Sequence, residues 1–152
     1  MIAPVSLFVY NRPDHTAKTL AALSENLECV DTDLFIFSDA PKVPEHRDAV
    51  TQVRELCRGV DGFRSVTLIE RKENWGLAKS IIDGVSMVVQ RFGRVIVLED
   101  DLVVSSAFLS FMNQALDIYG GEKKVWHISG WSYPIEDQVV EDAFLWRGMN
   151  CW

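Results

Sequence analysis

The sequence is poor in several things, and each shortage narrows what it can be. No apolar run approaches the roughly 20 residues of a membrane-spanning helix, so nothing in it reads as a span. Basic residues are outnumbered, 15 Lys and Arg against 22 Asp and Glu. The resulting net charge of −7 argues against a nucleic-acid backbone as partner. Cysteine is scarce: Cys29, Cys57 and Cys151 are odd in number and follow no metal-ligand spacing. The histidines His15, His46 and His127 share no spacing either, which leaves no case for zinc. The first residues, MIAPVSLFVYNRPD, lack a basic segment and a small-residue cleavage site, and read as a first strand. Reduced, structural thiols and a cytoplasmic setting are the expectation. Repeats, linkers and low-complexity segments are missing as well.

What remains is ordinary globular material. The 152 residues are 48% hydrophobic and 24% charged, enough for one domain with a sizeable core. Apolar runs at 5–10, 33–41, 65–71 and 94–100 predict strands, the second ending in an acid and broken by Pro41. Segments 13–26, 45–58, 76–92 and 106–119 carry helical periodicity. Inward positions are expected at Leu20, Leu23 and Leu27, at Val50, Val53, Leu56 and Cys57, and at Leu77, Ile81, Val85 and Val88. A fifth strand is expected at 124–129 (KVWHIS) and a sixth at 143–148 (AFLWRG). Four alternations of strand and helix with short connections predict an α/β fold. Its sheet would be mostly parallel, with helices on both faces. Ligands of such sheets bind beyond the carboxyl ends of the strands, so the polar residues there are the candidates.

Those ends carry Asn11 and Arg12, then Asp39, then the stretch RKENWGLAKS from Arg71 to Ser80, then Glu99, Asp100 and Asp101. Three adjacent acids after an apolar strand repel one another. They can start a loop that favours the positive end of the next helix, or share a divalent cation through oxygen ligands. Asp39 in SDAP suits a turn as well as it suits a hydrogen bond from a ligand's ring N–H. Arg12 at a crevice could take phosphate oxygens. Arg71, Lys72 and Lys79 would lie towards the same edge, and a helix beginning near Gly76 would add backbone N–H donors. His127 and Ser129 have no third partner for a hydrolase triad. The aromatic residues Trp126, Trp131, Tyr133 and Trp146 read as core, with Trp131 kept as a possible ligand contact.

Four stretches in order, VSLFVYNRPDHTAKTLAAL, FIFSDAP, RKENWGLAKSIIDGV and RVIVLEDDLVV with its continuation to VWHISGW, resemble the nucleotide-diphospho-sugar transferases of the GT-A fold. The likeness is to the N-acetylglucosaminyltransferase I type and its bacterial relatives. It implies that Glu99-Asp100-Asp101 is a variant DXD motif in which Asp101 ligates Mn²⁺ or Mg²⁺. Glu99 and Asp100 would contact the donor sugar and ribose. Asp39 would bind a uracil ring, and Asn11 and Arg12 the nucleotide, with Arg71, Asn74 and Lys79 completing the donor site. A glycan or other hydroxyl compound would be the acceptor.

The chain stops within the aromatic stretch FLWRGMNCW, and residues 1–152 are expected to be the donor-binding part of a longer enzyme. Its general base would then lie beyond Trp152, and Phe144, Trp146 and Trp152 would favour self-association. Two other functions compete. A sugar-phosphate nucleotidyltransferase would carry a Gly-rich loop after strand one, where NRPDHT has no glycine; a non-catalytic nucleotide- or protein-binding module would show no turnover.

Overall fold

The computed structural model describes residues 2–131. Within them, β1 (Val5–Val9), β2 (Asp33–Ser38), β3 (Ser65–Glu70) and β4 (Ile96–Glu99) form one parallel sheet in the order β3-β2-β1-β4. The helices are α1 (Pro13–Ser24), α2 (Arg47–Arg58), α3 (Leu77–Phe92) and α4 (Phe108–Tyr119). The expected α/β class, with a parallel sheet covered on both faces, is what the chain adopts.

Alternation along the strands explains the two layers. Val5, Leu7 and Val9 of β1, with Leu34 and Ile36 of β2, face α1, α2 and α4 through Leu20, Leu23, Val53, Cys57, Leu109 and Met112. The intervening Phe8, Phe35 and Phe37 face α3, where Val88 is buried and Ile81 and Val85 pack against them. Apolar side chains at both phases of the period give the continuous hydrophobic runs typical of a doubly covered parallel sheet. Phe8 and Phe37 stack at 5.0 Å between ring centroids. A Cβ on Gly84 of α3 would come within 2.9 Å of both rings, so glycine lets the helix lie close to the sheet.

Two asparagines fix how the helices sit on the sheet. The Asn26 amide donates to the carbonyls of Ala22 (3.3 Å) and Leu23 (3.1 Å), satisfying the last turn of α1. It also donates to Ser105 (3.1 Å), and its oxygen accepts the N–H of Leu109 (2.9 Å), joining α1 to α4. Asn113 accepts the N–H of Ala3 (2.7 Å), which fixes α4 against the start of β1.

Some expected positions differ. Because Asn26 ends α1, the chain enters a 3₁₀ turn and Leu27 points outward, 87% exposed. Leu56 lies beside the inner line of Val50, Val53 and Cys57 rather than on it, and is exposed. Leu77, the first residue of α3, stands beyond the sheet at the rim of a cleft. Residues 124–129 form no strand; the chain turns at Glu122 and leaves Trp126 93% exposed. The expected strand at 143–148 lies outside the described residues, as do Cys151, Tyr133 and Trp146. No helix among the described residues is long and apolar enough to cross a membrane. Cys29 and Cys57 are buried free thiols, and burial pushes Cys57 up to about 12, so it is an inert packing group.

One ion pair gives the fold a pH signature. Arg64 hydrogen-bonds the Asp33 carboxylate at the head of β2, Ser65 adds its hydroxyl at 2.6 Å, and the acid is held down to about 2. A depressed carboxylate contributes stability above its ordinary value of 3.8 and loses it as pH falls towards 2. Asp33→Asn is therefore expected to lower the urea midpoint at pH 7 and to match the parent near pH 2. A difference that persists unchanged at pH 2 would show that the charge is not the cause.

Candidate functional site

A cleft of about 400 Å³ opens at the carboxyl ends of β1, β2 and β4, where the topology predicts a ligand site. A larger open depression of about 600 Å³ near Pro13, Gln52 and Gly59 has Glu55 as its one ionisable lining group. It offers little for recognition, and the chemistry lies in the first cleft. Asn11, Arg12, Asp39, Asn74, Glu99 and Asp100 all border that cleft. So do Tyr10 and Lys42, which the sequence did not single out, and Ser80, the last residue of the RKENWGLAKS stretch. Tyr10 is expected as the last residue of the strand at 5–10, whereas β1 ends at Val9 and leaves Tyr10 at the cleft.

The three acids play separate parts because each occupies a different position. Glu99 is the last residue of β4, opposite Phe8 of β1. Burial raises its pKa, and the charges of Asp101 and Asp100 raise it further. Asp100 is 2% exposed and built into the fold. One carboxylate oxygen pairs with Arg12 and the other accepts the N–H of Tyr10 at 3.2 Å, while its carbonyl accepts the Thr19 hydroxyl at 3.0 Å. Asp101 is half exposed and meets the second nitrogen of the same guanidinium at 3.0 Å. Arg12 thus joins the turn after β4 to the start of α1. It reaches both acids because β1 and β4 are neighbours in the sheet.

Asp39 holds a loop. Its carboxylate accepts the N–H groups of Ala40 (2.9 Å), Trp75 (2.9 and 3.1 Å) and Gly76 (2.8 Å), and it is 8% exposed. Asn74 closes the same corner by donating to the Ala40 carbonyl at 2.7 Å. Gly76 takes φ +74°, a left-handed conformation that L side chains rarely adopt, and α3 starts directly after it. Arg54 of α2 lies beneath, donating to the carbonyl of Arg71 at 2.9 Å.

Arg71 and Lys79 are placed apart from the cleft, on Trp75. The Arg71 guanidinium lies 3.9 Å from the indole centroid and pairs with Asp83, and the Lys79 ammonium lies 4.1 Å from the ring. Across the cleft mouth, the Tyr10 hydroxyl accepts the N–H of Lys42 and bonds His46 Nδ1, both at 2.8 Å. These contacts fix the loop after β2.

The residues can be tested for a divalent ion. Among the described residues no three Asp, Glu, His or Cys side chains converge to chelate one unaided. The donors present are hard oxygens: Glu99 and Asp100 at the cleft edge and the half-exposed Asp101 carboxylate beside them. That set fits an ion held through one or two carboxylates and completed by water and phosphate oxygens, as Mg²⁺ commonly is.

Comparisons with known proteins bear on the fold. No protein-family model matches the chain, and no curated protein matches it significantly. Among solved structures, it is similar to the mannosyltransferase PcManGT from Pyrobaculum calidifontis in complex with GDP-Man and Mn²⁺. The TM-score is 0.51 at 16% identity, over 76% of this chain and 33% of that one. It is similar also to S. aureus TarS, with a TM-score of 0.51 at 13% identity, over 77% of this chain and 20% of that one. The chain therefore spans about a third and a fifth of these two structures. At such identities the likeness is one of fold, and the fold is GT-A-like.

Proposed function

We propose that the chain forms the nucleotide-sugar-binding half of a metal-dependent glycosyltransferase site. The observation that carries this reading is the meeting of Arg12, buried Asp39, Glu99 and Asp100 at one strand-end cleft, with Asp101 paired to the same arginine beside it. The fold is one in which PcManGT has been solved with GDP-Man and Mn²⁺.

In this reading Asp39 keeps the loop at Trp75 and Gly76 in place, so that the nucleoside end of the donor meets a rigid wall. Arg12 supplies positive charge to the diphosphate, with Asn11 beside it. Asp101 would hold Mn²⁺ or Mg²⁺, and Glu99 would meet the sugar or ribose. Asp100, expected from the resemblance to share that contact, has both carboxylate oxygens held by Arg12 and the Tyr10 N–H and serves to keep the arginine in place. When bound, the ion supplies Lewis-acid stabilisation of the departing nucleoside diphosphate. An acceptor hydroxyl, from a glycan or another alcohol, is the attacking group. The N-acetylglucosaminyltransferase I type remains part of the proposal, as does a UDP-sugar donor.

Calorimetric titration of the chain with UDP and with GDP, each with and without Mn²⁺, tests the reading. Metal-enhanced binding of at least one nucleotide is expected, and the preferred nucleotide identifies the base. If neither binds under any metal condition, the cleft is not a donor site.

A further inference from the structure

One guanidinium holds two carboxylates in unlike surroundings. The Asp100 side chain is 3% exposed, and its other oxygen and its carbonyl are tied to Tyr10 and Thr19. The Asp101 side chain is 43% exposed, as is that of Arg12, and their contact at 3.0 Å lies at the surface. The first contact is part of the fold, whereas the second is an exposed pair of the kind that solvent and other ions readily replace.

We propose that Arg12 is an exchangeable counter-ion of the acidic turn. While the cleft holds no donor, it neutralises Asp101. When a nucleoside diphosphate arrives with its divalent ion, it releases that carboxylate and turns its free nitrogen to a phosphate oxygen. Asp100 keeps the arginine tethered at the cleft throughout. The inference rests on the functional reading above and adds to it an order of preference. A metal ion alone has to compete with Arg12 for Asp101. A metal ion accompanied by diphosphate does not, because the displaced guanidinium finds a new anion and can pair with it strongly. Metal and nucleotide should therefore strengthen each other's binding equally, as linkage requires, and Arg12 should be part of the coupling.

The sign of one substitution separates this from a simple phosphate-binding role. Arg12→Gln removes the competitor, so the chain should bind Mn²⁺ alone more tightly, by about two- to fivefold for a pair this exposed. The same variant should bind UDP or GDP in saturating Mn²⁺ roughly tenfold or more weakly, having lost a charged hydrogen bond. Free Mn²⁺ is counted by electron paramagnetic resonance, nucleotide binding by calorimetry, and folding by circular dichroism melting. Arg12→Lys keeps a cation beside Asp100 but loses the fork to Asp101. It should move both affinities in the same directions by less, and it decides the matter if the glutamine variant does not fold. Unchanged or weaker binding of Mn²⁺ alone in a folded variant overturns the exchange, provided that the parent binds nucleotide with metal. A parent that shows no metal-dependent nucleotide binding overturns the functional reading, and the exchange falls with it.

Discussion

Asp101→Asn is expected to bind a nucleoside diphosphate equally well with and without Mn²⁺. The substitution replaces a charged oxygen donor by a neutral amide. It leaves Glu99 partly buried and Asp100 engaged with Arg12 and Tyr10, so neither carboxylate is placed to take over. Stability should hardly change. Asp101 is half exposed, its ion pair is at the surface, and substitutions of that kind usually stay within about 0.5 kcal/mol of the parent. Paired titrations of parent and variant, each with and without metal, check the result. A variant that keeps the parent's metal enhancement would show that another oxygen holds the ion.

The second large effect is expected at Asp39, and it falls on stability as well as on binding. Asp39→Ala leaves the N–H groups of Ala40, Trp75 and Gly76 without their acceptor in a region where Asp39 itself is nearly inaccessible. An unsatisfied buried donor costs about 1–3 kcal/mol. With some rehydration of the loop, the variant should lose about 2 to 4 kcal/mol, read from urea unfolding at neutral pH. A carboxylate that also reads a base N–H would make uridine nucleotides suffer more than inorganic diphosphate. The expected excess loss is roughly ten- to a hundredfold. Equal weakening of both ligands would confine Asp39 to holding its loop. An unfolding curve identical to the parent's would remove even that role.

Much of the architecture was legible because it depends on local patterning. The runs at VSLFV and DLFIFS are apolar at both phases of the strand period, and only a sheet covered on both faces satisfies them. The strand-end rule then led to Asp39 and to Glu99–Asp101 without any contact being known. Contacts made at long range were hidden. Nothing in NRPDH or LEDDL announces that Arg12 will reach Asp100 across 88 positions. The capture of Arg71 by Trp75 and Asp83 depends on how β3 leads into α3. Leucines misled where a helix ended or was narrow: Leu27 follows the stop made by Asn26, and Leu56 sits one step off the inner stripe of α2. The run KVWHIS has strand composition, yet among the described residues it has no neighbour to pair with, and composition alone could not reveal that.

The strand order also sets a sequence of events in time. β1 pairs with β2 through Val5 and Leu34, and β2 with β3 through Asp33 and Ser65, so three strands and the Asp39 loop assemble from neighbouring segments. β4 joins on the far side of β1, and its contact with the start of the chain brings Tyr10 to Asp100 across 90 positions. Closing so long a loop is an entropic cost that earlier pairings do not share. On a ribosome, the wall at Trp75 has emerged before the acids exist to face it. In the finished protein, a brief detachment of β4 would carry Glu99–Asp101 away and leave that wall standing. The acidic turn is therefore the last part of the cleft to be synthesised, and its place there depends on the single pairing of β4 with β1.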